Sequence, residues 1–118
     1  MNFSTESISA NTKARSASDT NGTEGNLSST VSVVIPCFNE ERFIGKVLEN
    51  LATQYPPEGY EIIVVDGIST DGTRRAIGEF VSRNPAVSVR IVDNTARNIP
   101  TALNLGIAAA RGNIIARM

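Results

Sequence analysis

Two short segments of the chain concentrate the carboxylate and carboxamide side chains that could hold a polar ligand. Residues 36–40 read Pro-Cys-Phe-Asn-Glu, and residues 66–73 read Asp-Gly-Ile-Ser-Thr-Asp-Gly-Thr. Asp66 is well suited to accept a hydrogen bond from the N–H of a pyrimidine, and the glycine after it lets a ligand come close. The simpler interpretation is that Asp66 and Asp71 form turns, since Asp-Gly is a common turn dipeptide.

Several kinds of chemistry are excluded by what these segments lack. Residues 36–40 contain no glycine, so neither the dinucleotide-binding fingerprint nor a P-loop is present there, and a bound pyrophosphate would need a metal ion or side chains. The chain has no histidine, which removes histidine-based zinc sites and catalytic triads. Cys37 is the only cysteine, so no intrachain disulfide forms, and we assign it no chemistry.

Charge and hydropathy exclude two classes of partner. The net charge of the 118 residues is −1, which argues against a nucleic-acid binder. The longest strongly apolar run, residues 62–65, is far shorter than the roughly 20 residues that span a bilayer. Residues 1–6 show no basic cluster followed by an apolar core, so we expect no signal peptide and no membrane segment in this chain.

Apolar runs alternate with segments of helical spacing from residue 31 onward. The runs at 31–36, 61–65, 87–92 and 113–118 predict strands, and the third alternates polar and apolar residues as a more exposed strand does. Alternation of this kind predicts an α/β fold with a parallel sheet and helices on both faces. Ligands of such sheets bind at the carboxyl ends of the strands, which here are residues 36–40, 66–71 and 93–98.

Helix signals lie between the predicted strands. Asn39 offers an N-cap for the first helix, and Asp71 offers one for the second, which should stop at Asn84 before a proline. Pro100 suits the first turn of the third helix, and Gly112 stands where a C-terminal cap belongs. The apolar positions predicted to face the sheet are Phe43, Ile44, Val47, Leu48 and Leu51 in the first helix and Ala76, Ile77, Phe80 and Val81 in the second.

Residues 1–30 differ in composition from the rest. They are rich in Ser, Thr, Asn and Gly, and their apolar residues are single and without period. Such a segment buries too little apolar surface to offset the entropy of ordering it. We therefore predict a disordered tail over residues 1–30 and one domain over residues 31–118.

Three sequence blocks, taken together, resemble the family 2 glycosyltransferases with the GT-A fold. Residues 33–40 read Val-Val-Ile-Pro-Cys-Phe-Asn-Glu, and residues 64–73 read Val-Val-Asp-Gly-Ile-Ser-Thr-Asp-Gly-Thr. Residues 93–107 read Asp-Asn-Thr-Ala-Arg-Asn-Ile-Pro-Thr-Ala-Leu-Asn-Leu-Gly-Ile, and residues 110–118 read Ala-Arg-Gly-Asn-Ile-Ile-Ala-Arg-Met. This third block is similar to the bacterial exopolysaccharide branch, including succinoglycan-type enzymes. The resemblance covers residues 31–118.

The resemblance implies a site for a nucleotide-sugar donor. It implies that Pro36, Phe38 and Glu40 line the nucleotide pocket, that Asp66 contacts the base, usually uracil, and that Arg97 lies near the nucleotide or its phosphates. The implied reaction is an inverting transfer of a UDP-linked sugar to a polysaccharide or lipid-linked acceptor.

The resemblance also implies groups that lie beyond Met118. In the family, the acidic motif that holds Mg²⁺ or Mn²⁺, the general base and the acceptor pocket follow the fourth strand, so we expect this chain to hold the donor-binding portion only. We expect a cytoplasmic protein, at the inner face of the membrane when complete. Two alternatives remain: a non-catalytic nucleotide-binding or interaction module of the same fold, and a nucleotidyltransferase, against which the missing glycine-rich loop argues.

Overall fold

The secondary structure follows the predicted alternation, with one additional strand. The computed structural model describes residues 9–12 and 30–118. The strands are β1 (Ser9–Thr12), β2 (Val31–Cys37), β3 (Tyr60–Asp66), β4 (Ser88–Asp93) and β5 (Ile114–Arg117), and the helices are α1 (Ile44–Gln54), α2 (Thr73–Arg83) and α3 (Ile99–Ala109). A short 3-10 helix, Pro57–Gly59, precedes β3.

The sheet is parallel except at one edge. Its order is β1-β5-β2-β3-β4, with parallel pairs from β5 to β4 and an antiparallel pair between β1 and β5. The chain runs outward from β2 through β3 to β4 and then returns to place β5 on the other side of β2. Such a reversal leaves a crevice at the carboxyl ends of the strands, which is where sheets of this kind bind ligands.

The carboxyl ends of β2, β3 and β4 are level with one another. Cys37, the last residue of β2, lies opposite Asp66, the last residue of β3. Asp66 in turn lies opposite Asp93, which ends β4. The loops that leave these strands therefore start from one line across the sheet, so residues far apart in sequence meet above it.

The helices cover both faces of the sheet, as predicted. In β2, Val33 and Ile35 face one way and join the core under α1 and α2, whereas Val34 faces the other way and joins the core under α3. β3 is buried along its whole length, and β4 is a partly exposed edge strand. Within the helices, Leu48, Ile77 and Phe80 are among the fully buried side chains, and each contributes on the order of 1.5–3 kcal/mol by leaving water.

Two apolar residues predicted to face the sheet are exposed. Phe43 is 42% exposed because α1 begins at Ile44 and leaves Phe43 in the preceding turn. Val81 is 36% exposed, at the margin of the buried face of α2.

The helix boundaries correct the predicted roles of Asn39 and Gly112. Asn39 does not cap α1, which has no side-chain cap. Gly112 has no left-handed backbone, and α3 ends at Ala109 with Ala110 as its C-cap. Gly112 is required instead by close approach: a Cβ there would overlap the carbonyl oxygen of Thr30 and stand 2.7 Å from the Ser32 hydroxyl. Asp71 does bind the first N–H of α2, that of Thr73, at 2.9 Å.

Residues 1–30 were predicted to be a disordered tail, and the structure describes only a small part of them. Ser9–Thr12, predicted to be disordered, form β1 along the edge of β5. The sequence gives no signal for this strand, because its four residues show no alternation of apolar and polar residues. The strand is ordered only by pairing with the edge of β5. The rest of residues 1–29 lies outside the described residues. No helix in the described part of the chain is long and apolar enough to cross a membrane.

Candidate functional site

A cavity of about 190 Å³ opens at the carboxyl ends of β2 and β3, beside the start of α3. Apolar and polar residues from the ends of β2 and β3, the three loops that follow the strands, and α3 line it: Pro36, Cys37, Phe38, Glu40, Val65, Gly67, Asn94, Arg97, Asn98, Ile99 and Ala102. The cavity is therefore built from the segments that the strand order predicted to meet.

One wall of the cavity is formed by Phe38 and Arg97. The Phe38 ring is 45% exposed, and the Arg97 guanidinium lies 5.3 Å from its centroid, within the range of a cation–π contact. Gly67 lies beneath them, and a Cβ at Gly67 would stand 3.4 Å from side-chain atoms of both. Glycine at this position thus keeps open the space where the two side chains meet over the sheet.

Each of the three loops turns through one non-glycine residue with a left-handed backbone. These residues are Asn39 (φ 51°), Ile68 (φ 63°) and Arg97 (φ 59°). Asparagine tolerates this region, but a β-branched residue such as Ile68 is a genuine outlier there. Strain of this kind costs about 1–3 kcal/mol and persists where surrounding contacts enforce it, commonly at binding sites.

Asn39 ties the first loop to the second. Its N–H donates to Ser69 Oγ at 2.8 Å, and its Oδ1 accepts from the N–H of Thr70 at 2.8 Å. The N–H of Glu40 donates to Thr73 Oγ1, also at 2.8 Å. The two polar segments found in the sequence are therefore one hydrogen-bonded unit, which fixes Phe38 and Glu40 at the cavity wall.

Asp66 lies behind this unit and not in the cavity. Its side chain is fully buried, and its carboxylate accepts from the N–H of Ser69 (2.9 Å), Ser69 Oγ (2.5 Å) and Arg74 Nε (2.8 Å). Burial raises the pKa of Asp66, but the hydrogen bonds from Ser69 and Arg74 outweigh it, so the pKa lies below the ordinary 3.8. Asp66 is thus a buried, ionised and fully engaged carboxylate.

Arg74 links the ends of two strands. Besides Asp66, its guanidinium binds Asp93 through Nη2 at 2.5 Å, at the end of β4. The Arg74 side chain is 42% exposed, so its contact with Asp93 is partly screened by water. Its bond to Asp66 matters more, because Asp66 has no access to solvent.

Cys37 lines the cavity but is not a nucleophile. Burial, and then the negative charges of Asp66, Glu40 and Asp71, raise the pKa of its thiol to about 12, with only Arg74 acting in the opposite direction. The thiol is therefore protonated at neutral pH, and only a thiolate is strongly nucleophilic. The absence of chemistry assigned to Cys37 from sequence agrees with this environment.

The structure brings four of the five predicted site residues together and leaves one out. Pro36, Phe38, Glu40 and Arg97 line the cavity, whereas Asp66 does not. Asn94 and Asn98 also line the cavity; they lie within residues 93–98, the range predicted for a strand end, but neither was singled out as a site residue. Asn98 carried a usable signal, since Asn-x-Pro at 98–100 is a typical start of a helix. Asn94 carried none, because its role depends on contacts within its own loop.

Residues suited to a divalent cation are not assembled in this part of the protein. Among residues 9–12 and 30–118, no group of three or more acidic or cysteine side chains could hold a metal ion. The described residues therefore do not fit a Mg²⁺ or Mn²⁺ site.

Comparison with known sequences gives the family. Residues 32–118 match the sequence model described as glycosyl transferase family 2. The chain is 43% identical over 84 residues to the dolichyl N-acetyl-alpha-D-glucosaminyl phosphate 3-beta-D-2,3-diacetamido-2,3-dideoxy-beta-D-glucuronosyltransferase of Methanococcus voltae, covering 70% of this chain and 26% of the relative. It is 36% identical over 83 residues to the succinoglycan biosynthesis protein ExoA of Rhizobium meliloti, covering 70% and 24%. The chain thus spans about a quarter of the length of these relatives.

Comparison with solved structures gives the same result. The mannosyltransferase PcManGT from Pyrobaculum calidifontis, solved with GDP-Man and Mn²⁺, superposes with a TM-score of 0.69 at 33% identity over 76% of this chain and 27% of that one. S. aureus TarS 1-349 in complex with UDP-GlcNAc superposes with a TM-score of 0.65 at 25% identity over 75% and 26%. The GT-A fold expected from the sequence is confirmed, and the chain belongs to glycosyl transferase family 2.

Proposed function

We propose that this chain is the base-binding portion of a glycosyltransferase that uses a nucleoside diphosphate sugar. The observation that supports this most directly is the cavity itself, which combines an exposed aromatic ring with a few polar groups at the carboxyl ends of parallel strands. A solved structural neighbour holds UDP-GlcNAc and another holds GDP-Man, so both carry nucleotide sugars on this fold.

The size of the cavity matches a base and not a whole donor. A cavity of about 150 Å³ binds a benzene ring, so about 190 Å³ takes one pyrimidine ring. Phe38 and the planar Arg97 guanidinium provide flat surfaces for it, and stacking of a base on an aromatic ring contributes about 1–3 kcal/mol. Glu40 is the carboxylate at the wall that accepts from donor groups of the nucleoside.

The diphosphate and sugar lie outside this cavity. Arg97 is the one cationic side chain among the lining residues, and a diphosphate needs more positive charge than that. In the complete protein we assign this charge to Mg²⁺ or Mn²⁺, which neutralises the leaving group. The proposed reaction is an inverting transfer of a UDP-linked sugar to a polysaccharide or lipid-linked acceptor, at the cytoplasmic face of the membrane.

The role expected for Asp66 changes in this proposal. Its carboxylate is already engaged by Ser69 and Arg74, so it acts on the base indirectly, by holding the loop that holds Asn39. Asp66 is therefore a positioning residue.

The test is a titration of the 118-residue chain with UMP, followed by NMR amide shifts. We expect shifts clustered at residues 36–40, 67 and 94–99. Phe38→Ala should weaken binding at least about tenfold, the equivalent of 1.4 kcal/mol. Phe43→Ala is the matched control, because Phe43 is equally exposed but does not line the cavity. Equal losses in both variants, or shifts elsewhere on the surface, would contradict the proposal.

A further inference from the structure

The polar side chains of the cavity differ in whether they already form hydrogen bonds within the protein. Asn94 is 3% exposed, and both ends of its carboxamide have partners: Nδ2 donates to the carbonyl oxygen of Asn98 at 3.0 Å, and Oδ1 accepts from the N–H of Arg97 at 3.2 Å. Asn94 therefore shapes the loop, and its buried carboxamide is already hydrogen-bonded at both ends. The available carboxamide is that of Asn98.

The carboxamide of Asn98 is held in one orientation. Asn98 is the N-cap of α3, and its Oδ1 accepts from the N–H of Thr101 at 2.8 Å. Its backbone carbonyl is also engaged, by Asn94 Nδ2 and by the N–H of Ala102 at 3.1 Å. Among the described residues, none accepts a hydrogen bond from Asn98 Nδ2. Asn98 is an exposed residue that lines the cavity, and with Oδ1 turned toward Thr101 its side chain offers the Nδ2 donor to a ligand there.

We propose that Asn98 selects the base by donating from Nδ2 to the carbonyl at ring position 4, which favours uracil over cytosine. This inference rests on the proposed function, since it names the base that the same cavity takes. Uracil carries a carbonyl at position 4, where cytosine carries an amino group. A carbonyl accepts from Asn98 Nδ2, whereas an amino group would place two donors against each other.

The helix cap is what makes this selection possible. An asparagine whose side chain can rotate binds either base, because its carboxamide presents either the oxygen or the NH₂ group. In Asn98 that rotation would break the bond to Thr101 and leave the cap unmade, which destabilises the start of α3. The cap therefore converts an ambiguous side chain into a donor.

The experiment compares the affinities of UMP and CMP by NMR titration of the full 118-residue chain. For the wild type we expect UMP to bind at least about tenfold more tightly than CMP, with a shift of the Asn98 side-chain amide in UMP only. Asn98→Asp keeps the cap and the size of the side chain but replaces the donor by an acceptor. The ratio of UMP affinity to CMP affinity should therefore fall to one or reverse. Asn98→Ser keeps a capping oxygen but replaces the Nδ2 donor by a shorter hydroxyl that can donate or accept, so the ratio of UMP to CMP affinity should be about one.

Two controls separate this inference from other effects. The added negative charge of Asn98→Asp repels both phosphates equally, so it cancels in the ratio of affinities. Asn104→Asp makes the same change in the same helix at an exposed residue outside the cavity, and it should keep the wild-type ratio. Unchanged melting temperatures establish that the variants are folded.

The outcomes distinguish this inference from the proposed function. A wild-type ratio of about one, or a ratio unchanged in Asn98→Asp, overturns the role of Asn98 while the Phe38-dependent binding stands. If neither nucleotide shifts the cavity residues, the proposed function fails, and the inference fails with it.

Discussion

Asp66 is a buried carboxylate at the end of β3, next to the glycine that lines the cavity. The sequence places it at the end of a buried strand beside a glycine, and the structure confirms that position. What the sequence does not contain is the direction of the side chain, which points into the protein and meets Ser69 and Arg74. The glycine that follows, and not the carboxylate, faces the cavity.

Asp66→Asn should therefore lower stability as well as nucleotide binding. Asparagine keeps an acceptor but loses the charge that pairs with Arg74 and leaves a buried NH₂ group facing donors. We expect the free energy of unfolding to fall by about 1–3 kcal/mol, measured by urea denaturation. UMP affinity should fall with it, whereas Phe38→Ala should reduce affinity alone.

The pH dependence of the difference in unfolding free energy between wild type and Asp66→Asn gives an internal control. Because the folded pKa of Asp66 is below the ordinary 3.8, its charge stabilises the native state at every pH above that value. The stabilisation is lost as the pH falls from about 3.8 through the folded pKa. The difference between wild type and Asp66→Asn should be constant from pH 7 to 5 and shrink below pH 4. A difference that grows in acid would show that Asp66 is not the ionised group described above.

At the scale of elements, the order of strands and helices was predictable because each leaves a periodic signal in the sequence. Buried strands appear as runs of β-branched residues, and α1 shows its buried face at helical spacing. Contacts between loops leave no such signal. From sequence, Asn39 is a plausible cap for α1. Only the fold brings the N–H of Thr70 close enough to donate to the Asn39 side chain instead. β1 was not predicted because its pairing with β5 likewise leaves no periodic signal in the sequence.

Glycines within helices test how closely α3 approaches the sheet. A Cβ at Gly106 would overlap the Val34 side chain, so α3 packs there with its backbone nearly against β2. Gly106→Ala should cost about 1–3 kcal/mol through overpacking. Gly78→Ala in α2 is the matched control, because nothing lies within 4 Å of its Cβ, and it should stabilise the protein by about 0.5–1 kcal/mol. Melting curves that move in the same direction for both variants would contradict the packing of α3.

At the scale of the whole molecule, β1 gives the N-terminal segment a role at the sheet edge. The two core clusters consist of residues from 33 to 116, so a chain starting at Thr30 should fold and bind UMP with unchanged affinity. Removing β1 exposes the edge of β5, and exposed edges pair with other chains. We expect concentration-dependent association of the shortened chain in sedimentation experiments. Loss of UMP binding on this deletion would mean that residues 1–29 belong to the site.

Binding without turnover is the expected behaviour of the 118 residues taken alone. The cavity has room for a base, Arg97 is its one cationic lining residue, and the described residues offer no cluster for a metal ion. Sugar transfer depends on electrostatic stabilisation of the departing diphosphate, to which a metal contributes several kcal/mol. With Mn²⁺, UDP-sugar and an acceptor, the chain should therefore release no UDP above the uncatalysed rate while still binding UMP.

A chimera provides the positive control for this last prediction. The chain matches about a quarter of its relatives' length, so joining the remaining portion of the Rhizobium meliloti relative after Met118 supplies what these residues do not. We expect metal-dependent UDP release from the chimera and its reduction in the Phe38→Ala variant of the chimera. Turnover by the 118-residue chain at a comparable rate would place the diphosphate among the described residues. A chimera that binds UMP but releases no UDP would favour the non-catalytic binding module over the transferase.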